Sequence, residues 1–527
     1  MTGWERWRIL IRVMAENNQD RQTRKHQLLY ATVFFCFLSL YVLTAQRGAG
    51  WQDSGSFQVY VLTGTYIDLC GGGLAVVHPW YLSAARFFAL WFPAKMQVYA
   101  VNLFSGLGLA VAVLLVLILV HRMTQNRVAG VVAAVTLGLA QMPWWLGTVA
   151  EVYTWALAFL LAEMFCLWRI CQEKDARLCR RWWVALAAVN GLHASVHNVA
   201  FLNLPVYAVL GWVQNKKFLR RPMPIIKHVG GCAVAWGVGA CLLVTLLVKD
   251  LHVSRSLVAS LRSLFFGKVF ASAVMGTKAI NIHMATSNLA LASVSFVSPC
   301  WLLIFRGGKD WRQGRTFKNA LLAVTLIQAL FWVRYFVPDQ ATFMLPTIGL
   351  CAVWLGFGVS AFLASGGRWR VSIVLSLLGM GIICQVVLPL VLARSVGQRG
   401  ARSRVLPFRD EARYWLVPWK HNETSAQQFA LAVDKQLHEG DVLVSDLTAA
   451  NPIQVACVTG AVKKEWRLVS AWSGETEDEI IRIVVSTLNQ GGRVFVVSPV
   501  AGYVPRKLLS EFEFQPDGVL WRVKEQR

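Results

Sequence analysis

Long apolar runs alternate with short polar segments over the first 394 residues of the chain. A helix needs ~20 residues to cross ~30 Å of hydrocarbon, and most of the apolar runs approach that length. We therefore predict a mainly α, polytopic bundle of about eleven spans over residues 28–394. The predicted spans cover residues 28–45, 97–120, 128–142, 150–170, 182–197, 199–213, 229–248, 285–305, 319–336, 341–363 and 371–393.

The charges between the spans predict the topology. The first apolar run follows a basic segment, residues 1–27, and has no cleavage site of small residues, so we interpret it as a retained span. If the N-terminus lies in the cytoplasm, every alternate loop is basic, as the positive-inside rule requires. This topology predicts a large first outer loop at residues 46–96 and an extracytoplasmic C-terminus.

Residues 395–527 follow a different pattern, in which short β-rich runs alternate with amphipathic segments. Buried strands are predicted at residues 441–446, 467–472 and 493–498, with helices at 452–461 and 477–489. Strands that alternate with helices favour a small α/β domain with a parallel sheet. No glycine-rich phosphate loop follows the first strand, so the pattern does not indicate nucleotide binding.

Composition agrees with a membrane protein. The chain is 56% hydrophobic and 15% charged, with a mean hydropathy of +0.48, whereas soluble domains carry about 25% charged residues. The net charge is +24, but residues 400–527 hold 16 basic and 16 acidic residues, so the whole excess lies in the apolar part. A nucleic-acid binder would instead concentrate that charge on a soluble face. No cysteine spacing is typical of zinc.

Five carboxylates are expected near the outer membrane surface, where ionisable groups tend to be functional. They are Asp53, Asp68, Glu151, Asp250 and Asp339. Asp53, in Trp51-Gln-Asp-Ser54, is either a helix N-cap or a general base that takes a proton from a hydroxyl acceptor.

Other polar residues are candidates for substrate binding. Glu151 and Tyr153 begin a span and could position a substrate or a lipid headgroup, although an interfacial glutamate can also be simply solvated. His193 and His197 are spaced i, i+4, which predicts both imidazoles on one helix face. They lack the glutamate of the zinc protease motif, so we expect hydrogen bonding at the mouth of a cavity and no metal.

Arg334 and Asp339 flank a tight outer turn, where they either form a local ion pair or leave the arginine facing an anionic headgroup. Further cations are predicted on the outer side, against the positive-inside trend. Either a lipid-linked phosphate that they bind or ordinary surface charge would explain them. These cations are Arg47, Arg86, Lys95, Arg255, Arg262 and Lys268.

The order of these motifs resembles a known superfamily, the GT-C glycosyltransferases, which are integral membrane enzymes that use polyprenyl- or dolichyl-phosphate sugars. More narrowly, it resembles the bacterial polytopic family related to the receptor-type (plexin) protein O-mannosyltransferases. The motifs are Asp53-Ser54-Gly55, His78-Pro79, Ala150-Glu151-Val152-Tyr153, Val337-Pro338-Asp339-Gln340 and Leu345-Pro346.

The chain also departs from that family. Ser56 replaces the glutamate that usually follows Asp-Ser-Gly, and Trp80-Tyr81-Leu82 replaces the usual Pro-Gly-Tyr-Pro after His-Pro. The first change removes a carboxylate that could serve as a second acid or hold a metal. The second suggests an altered donor or acceptor groove.

The resemblance implies that a hexose, with mannose as the expected sugar, is moved from a polyprenyl-phosphate donor to a hydroxyl of a protein or glycan outside the cytoplasm. Asp53 would be the general base, Arg334 would stabilise the departing phosphate, and the remaining candidates would orient donor and acceptor. These are Ser54, His78, Glu151, Tyr153, His193, His197 and Asp339.

No cofactor or metal is expected, the partners besides the substrates are membrane lipids, and a bacterial inner membrane is favoured over the endoplasmic reticulum. Two alternatives stay open, a transporter or lipid flippase and a degenerate, non-catalytic assembly protein. The absence of an internal repeat counts against a transporter.

Overall fold

The computed structural model describes residues 3–65, 73–215, 222–267, 271–274, 282–307, 314–337, 339–397, 404–463, 465–470 and 476–525. Helices dominate these residues up to position 397. The α-helices of this part are α1 Gly3–Thr44, α2 Gln52–Thr63, α3 Pro79–Ala89, α4 Gln97–Thr124, α5 Arg127–Leu139, α6 Gln141–Leu146, α7 Tyr153–Gln172, α8 Ala176–Val196, α9 Leu204–Asn215, α10 Pro222–Gly239, α11 Cys241–Ser254, α12 Leu257–Phe266, α13 Ala271–Val274, α14 Ile282–Ser293, α15 Arg315–Arg334, α16 Leu345–Ala364 and α17 Arg368–Val396.

Short 3₁₀ helices join several of them, at Leu74–Val76, Ala94–Met96, Asn198–Asn203, Val294–Phe296, Pro299–Arg306 and Gln340–Met344.

Six helices of the described residues are long and apolar enough to cross a membrane, so the protein is a multi-pass membrane protein. These candidate spans are Thr23–Thr44, Ala94–Thr124, Tyr153–Gln172, Arg315–Arg334, Gln340–Ala364 and Arg368–Val396.

The predicted number of about eleven spans is not confirmed. Two predicted spans are bent pairs, Lys227–Gly239 with Cys241–Ser254 at 82° and Ala285–Phe296 with Pro299–Arg306 at 84°, which raise the count to eight if each pair is one span. Pro299 lies at the second break, where proline cannot continue a helix. Two further predicted spans, α5 and α9, have only 13 and 12 residues, too short to cross alone.

The described residues after position 397 form a five-stranded sheet and five helices. The elements of this C-terminal part are α18 Glu411–Leu416, α19 Ser425–Gln436, β1 Val442–Val444, α20 Leu447–Val458, β2 Arg467–Val469, α21 Glu477–Asn489, β3 Val494–Val496, α22 Arg506–Glu511, β4 Phe512–Asp517 and β5 Leu520–Glu525.

The strand order is β2-β1-β3-β5-β4, with β1 parallel to β2 and β3. These three strands lie within the segments expected from the sequence. The sheet is nevertheless mixed, because β5 runs antiparallel to both β3 and β4. The β4–β5 hairpin, which was not predicted, turns at Gly518 with φ of 59°.

The C-terminal part shares a hydrophobic core with the helical part. Trp51, fully buried, packs on Phe429 of α19 with ring centroids 5.3 Å apart and donates its indole N–H to Ser425 Oγ at 2.8 Å. The same continuous cluster includes Leu443 of β1 and Ile453 of α20. The predicted boundary at residue 395 therefore crosses one core, and the location of this part outside the cytoplasm stays a prediction.

Candidate active site

Asp53 projects from the first turn of α2, directly after the first candidate span. The N-cap of this helix is Trp51, which makes no side-chain capping hydrogen bond, and Asp53 is the second helical residue. The interpretation of Asp53 as an N-cap is therefore wrong. Gln52, which begins the helix, has a left-handed φ of 53°, a conformation rare outside glycine that often marks functional sites.

The side chain of Asp53 is accessible to solvent, although neighbouring elements surround part of it. Partial desolvation by these neighbours, together with the charge of Asp339, raises its pKa to about 7. No residue in the described part donates a hydrogen bond to it. A carboxylate of that pKa is well suited to accept a proton near neutral pH, since catalytic bases are most effective when their pKa lies near the working pH.

Three predicted carboxylates come together here from distant parts of the chain. Glu151 lies in the turn before α7 and is 7% exposed, and burial together with Asp53 and Asp339 raises its pKa well above the ordinary value. Ser54 donates its hydroxyl to Glu151 Oε1 at 3.3 Å. The main chain of Glu151 is fixed by Ser105, whose hydroxyl contacts both its N–H and its carbonyl oxygen. Like charges this close favour the protonated form of one member.

His78 and His197 pack against each other with their ring centroids 5.0 Å apart. His78 Nδ1 donates to the carbonyl oxygen of Val196 at 2.7 Å, and burial lowers the pKa of His78 to about 4. The imidazole is therefore neutral with Nε2 as an acceptor, and the left-handed φ of 50° at His78 holds the ring at the start of α3. Tyr153 lies 5.4 Å from the ring of His197.

His193 does not join this group. The helix α8 ends at Val196, and His197 is extended with φ of −156°, so the two imidazoles do not share a helix face and that prediction is wrong. His193 Nδ1 instead contacts Glu163 Oε1 at 2.8 Å inside the bundle. No group of histidine, cysteine and carboxylate side chains in the described ranges could hold a metal ion.

Glu163 is the acidic residue whose importance sequence reasoning missed. It is fully buried in α7 and accepts hydrogen bonds from Asn190, His193, Asn203 and Tyr207 at 2.5–3.0 Å. The signal was available, because Glu163 is a carboxylate inside a predicted span. Its donors come from three elements that pack around α7, and their convergence could not be derived from spacing.

Asp339 lies between α15 and the 3₁₀ helix Gln340–Met344. It is the N-cap residue of that helix but makes no side-chain capping bond, and its charge acts on Asp53, Glu151 and Tyr335. Arg334 is exposed at the end of α15. Pro338, Asp68 and Lys268 lie outside the described residues.

Two predicted features have structural roles. Arg86 donates to the carbonyl oxygens of Val61 and Leu62 at 2.7 and 3.1 Å and so completes the end of α2. Ser56, which replaces a family glutamate, accepts a hydrogen bond from Asn451 Nδ2 at 2.6 Å. The departure at position 56 thus coincides with a buried contact between α2 and the C-terminal part.

The sequence matches one family model over part of its length. Residues 74–220 match the protein O-mannosyl-transferase TMEM260 N-terminal domain, a range that contains His78, Glu151, Tyr153, His193 and His197. A search of curated proteins gives no match.

The fold matches solved membrane enzymes at low sequence identity. ArnT from Cupriavidus metallidurans, bound to undecaprenyl phosphate, has 12% identity and a TM-score of 0.54, with 95% of this chain and 98% of that chain covered. The apo state of the same protein has 14% identity and a TM-score of 0.53, and the match covers the same shares of the two chains. The oligosaccharyltransferase AglB from Archaeoglobus fulgidus, in complex with an inhibitory peptide and a dolichol-phosphate, has 10% identity and a TM-score of 0.52, with 89% and 69% covered.

The structural matches extend over nearly the whole chain. The family model covers about a quarter of it. The resemblance inferred from the sequence motifs is therefore confirmed at the level of the fold: the chain shares the fold of the GT-C glycosyltransferases ArnT and AglB, and its residues 74–220 match the protein O-mannosyl-transferase TMEM260 N-terminal domain.

Proposed function

We propose that the protein is an integral-membrane glycosyltransferase that moves a sugar from a polyprenyl-phosphate donor to a hydroxyl acceptor, with Asp53 as the general base. The observation that carries this proposal is the Asp53 carboxylate, which is accessible, lies near Glu151 and Asp339 and has a pKa raised to about 7. The lipids in the two similar proteins, undecaprenyl phosphate in ArnT and a dolichol-phosphate with AglB, support the class of donor. The TMEM260 match supports mannose as the sugar and a protein as the acceptor.

The proposed step balances without a cofactor. The acceptor oxygen forms a bond to the anomeric carbon of the sugar as the bond from that carbon to the phosphate oxygen breaks. The hydroxyl proton passes to the carboxylate of Asp53, and the polyprenyl phosphate leaves with the electron pair. Arg334, exposed at the end of α15, stabilises the charge on that phosphate, since a guanidinium pairs with phosphate through two parallel hydrogen bonds.

The neighbouring residues hold the reactants. His78, neutral with Nε2 free to accept, receives a hydrogen bond from a sugar or acceptor hydroxyl. Burial raises the pKa of Glu151 well above its ordinary value, which favours a carboxyl group that donates to a sugar oxygen, and Ser54 contacts that group. Tyr153 and His197, whose ring centroids are 5.4 Å apart, provide an aromatic surface for the sugar ring. Correct placement of two reactants can supply about 7–11 kcal/mol of the barrier.

A donor panel tests this function. The purified protein in detergent is given a panel of radiolabelled polyprenyl-phosphate hexoses, mannose and glucose among them, with a serine- and threonine-rich peptide or a glycan acceptor. We expect release of polyprenyl phosphate together with label on the acceptor for one donor. No release from any donor, combined with solute or lipid movement in proteoliposomes, would show a transporter or flippase instead.

A further inference from the structure

A second polar cluster lies at the end of the helical bundle away from Asp53. It contains His26 and Tyr30 of α1, His121 and Arg122 of α4, and Arg127 of α5. From His26 to the end of α1 at Thr44 is 18 residues, or ~27 Å at ~1.5 Å per residue. The cluster is therefore separated from the proposed active site by the full length of a span, and the glycosyltransferase mechanism does not use it.

The hydrogen bonds of this cluster leave a donor unused. Arg127 Nη2 lies 3.2 Å from His26 Nε2, and because a guanidinium only donates, Nε2 is the acceptor. In the neutral ring the proton is then on Nδ1. That nitrogen is buried and has no hydrogen-bond partner in the described part of the chain. A buried N–H without an acceptor is costly, which indicates a missing acceptor.

The surroundings of the two imidazoles are cationic. The rings of His26 and His121 lie 4.6 Å apart, and the hydroxyl of Tyr30 is 2.6 Å from His121 Nδ1. The charges that act on both rings are Arg122 and Arg127, and among the side chains that the structure describes no carboxylate acts on either ring. The amino end of α5, which begins at Arg127, adds its own partial positive charge.

We propose that this imidazole–guanidinium cluster, formed by His26, His121, Arg122 and Arg127, binds the phosphate oxygens of an anion. Arg122, whose side chain is exposed, pairs with the charge of the phosphate, and a turn of the half-buried His26 ring brings its Nδ1–H to one of the phosphate oxygens. The headgroup of an anionic phospholipid can reach this position, because α1 is peripheral and Leu28 and Phe35 are 69% and 60% exposed. Under the predicted topology this lipid lies in the inner leaflet.

Lipid-dependent thermal stabilisation of the delipidated protein in detergent tests the site. We expect phosphatidylglycerol to raise the melting temperature saturably above the effect of phosphatidylcholine, with an apparent affinity about tenfold weaker in His26→Phe, which keeps the ring packing and removes the N–H. Arg122→Gln should weaken the same titration. The matched controls are His421→Phe and Arg177→Gln, at exposed positions elsewhere on the surface.

The comparison is made within each variant, so a general loss of stability does not affect it. Equal shifts with both lipids in the wild-type protein, or an unchanged phosphatidylglycerol titration in both His26→Phe and Arg122→Gln, would overturn the proposal. An equal weakening in the two control variants would also overturn it, because the effect would then be surface charge alone. If inorganic phosphate competes with phosphatidylglycerol in the wild-type protein and no longer does so in His26→Phe, the phosphate chemistry is supported and a free phosphate is also a ligand.

Discussion

The raised pKa of Asp53 predicts how the proposed reaction depends on pH. A general base must be ionised, so kcat/KM should fall about tenfold for each pH unit below about 7. Asp339→Asn removes the negative charge that helps to raise this pKa and should move the acidic limb to lower pH. The pH profiles of wild type, Asp339→Asn and the exposed control Glu439→Gln check this. If the acidic limb of the profile stays at the same pH in Asp339→Asn, the group that titrates there is not Asp53.

Glu163 predicts a large effect on stability. Glu163→Ala removes the acceptor of four buried donors, and breaking a buried charged network in this way costs ~3–5 kcal/mol. Glu163→Gln keeps one acceptor oxygen and should lie between alanine and wild type. Thermal unfolding in detergent measures the difference. A melting temperature of Glu163→Ala within error of the wild type would mean that the network contributes nothing.

The sequence indicates which residues are candidates for the site better than it indicates which side chains they contact. Asp53, Glu151 and Asp339 could be selected because carboxylates are rare next to an apolar segment. The partner of His193 could not, since it depends on the packing of α7 against α8, and the separation of His197 from His193 depends on α8 ending at Val196. A helical spacing of four residues is informative only while the helix continues.

Among the elements, α2 is held in place by α20. A Cβ atom on Gly55 would lie 2.6 Å from Gly50 O and 2.7 Å from Asn451 Cβ, closer than atoms can approach. Gly55→Ala should therefore separate α2 from α20, displace Asp53 and lower both activity and melting temperature. Gly379→Ala in α17, with open space around the added atom, should be neutral or slightly stabilising. Equal melting temperatures and activities for the two variants would contradict this packing.

The positions of most helices and of three strands could be predicted from the sequence, but the bends within the helices could not. Apolar runs located most of the helices, and β-rich runs located β1, β2 and β3. The 82° and 84° breaks fall inside runs that remain apolar throughout, so hydropathy could not indicate them. The β4–β5 hairpin lies in a segment with several charges, where alternation with the apolar positions is weak.

At the scale of the whole molecule, the shared core predicts cooperative unfolding. Trp51→Ala removes a fully buried ring that packs on Phe429 and bonds to Ser425, at a cost of ~3–5 kcal/mol. Probes on the helical part and on the sheet should then report one transition, lowered by the same amount. A sheet that unfolds at its original temperature in Trp51→Ala would mean that the two parts are energetically independent.

If Asp53 accepts the proton in sugar transfer, its replacement by asparagine should slow the reaction far more than a substitution at an exposed control position. Once a donor is known, kcat for release of polyprenyl phosphate is measured for the wild type, Asp53→Asn and Glu439→Gln, with melting temperatures as a check on folding. We predict that Asp53→Asn loses about 10²–10⁴-fold in kcat while Glu439→Gln stays at the wild-type value. A folded Asp53→Asn protein that releases polyprenyl phosphate as fast as the wild type would contradict the mechanism.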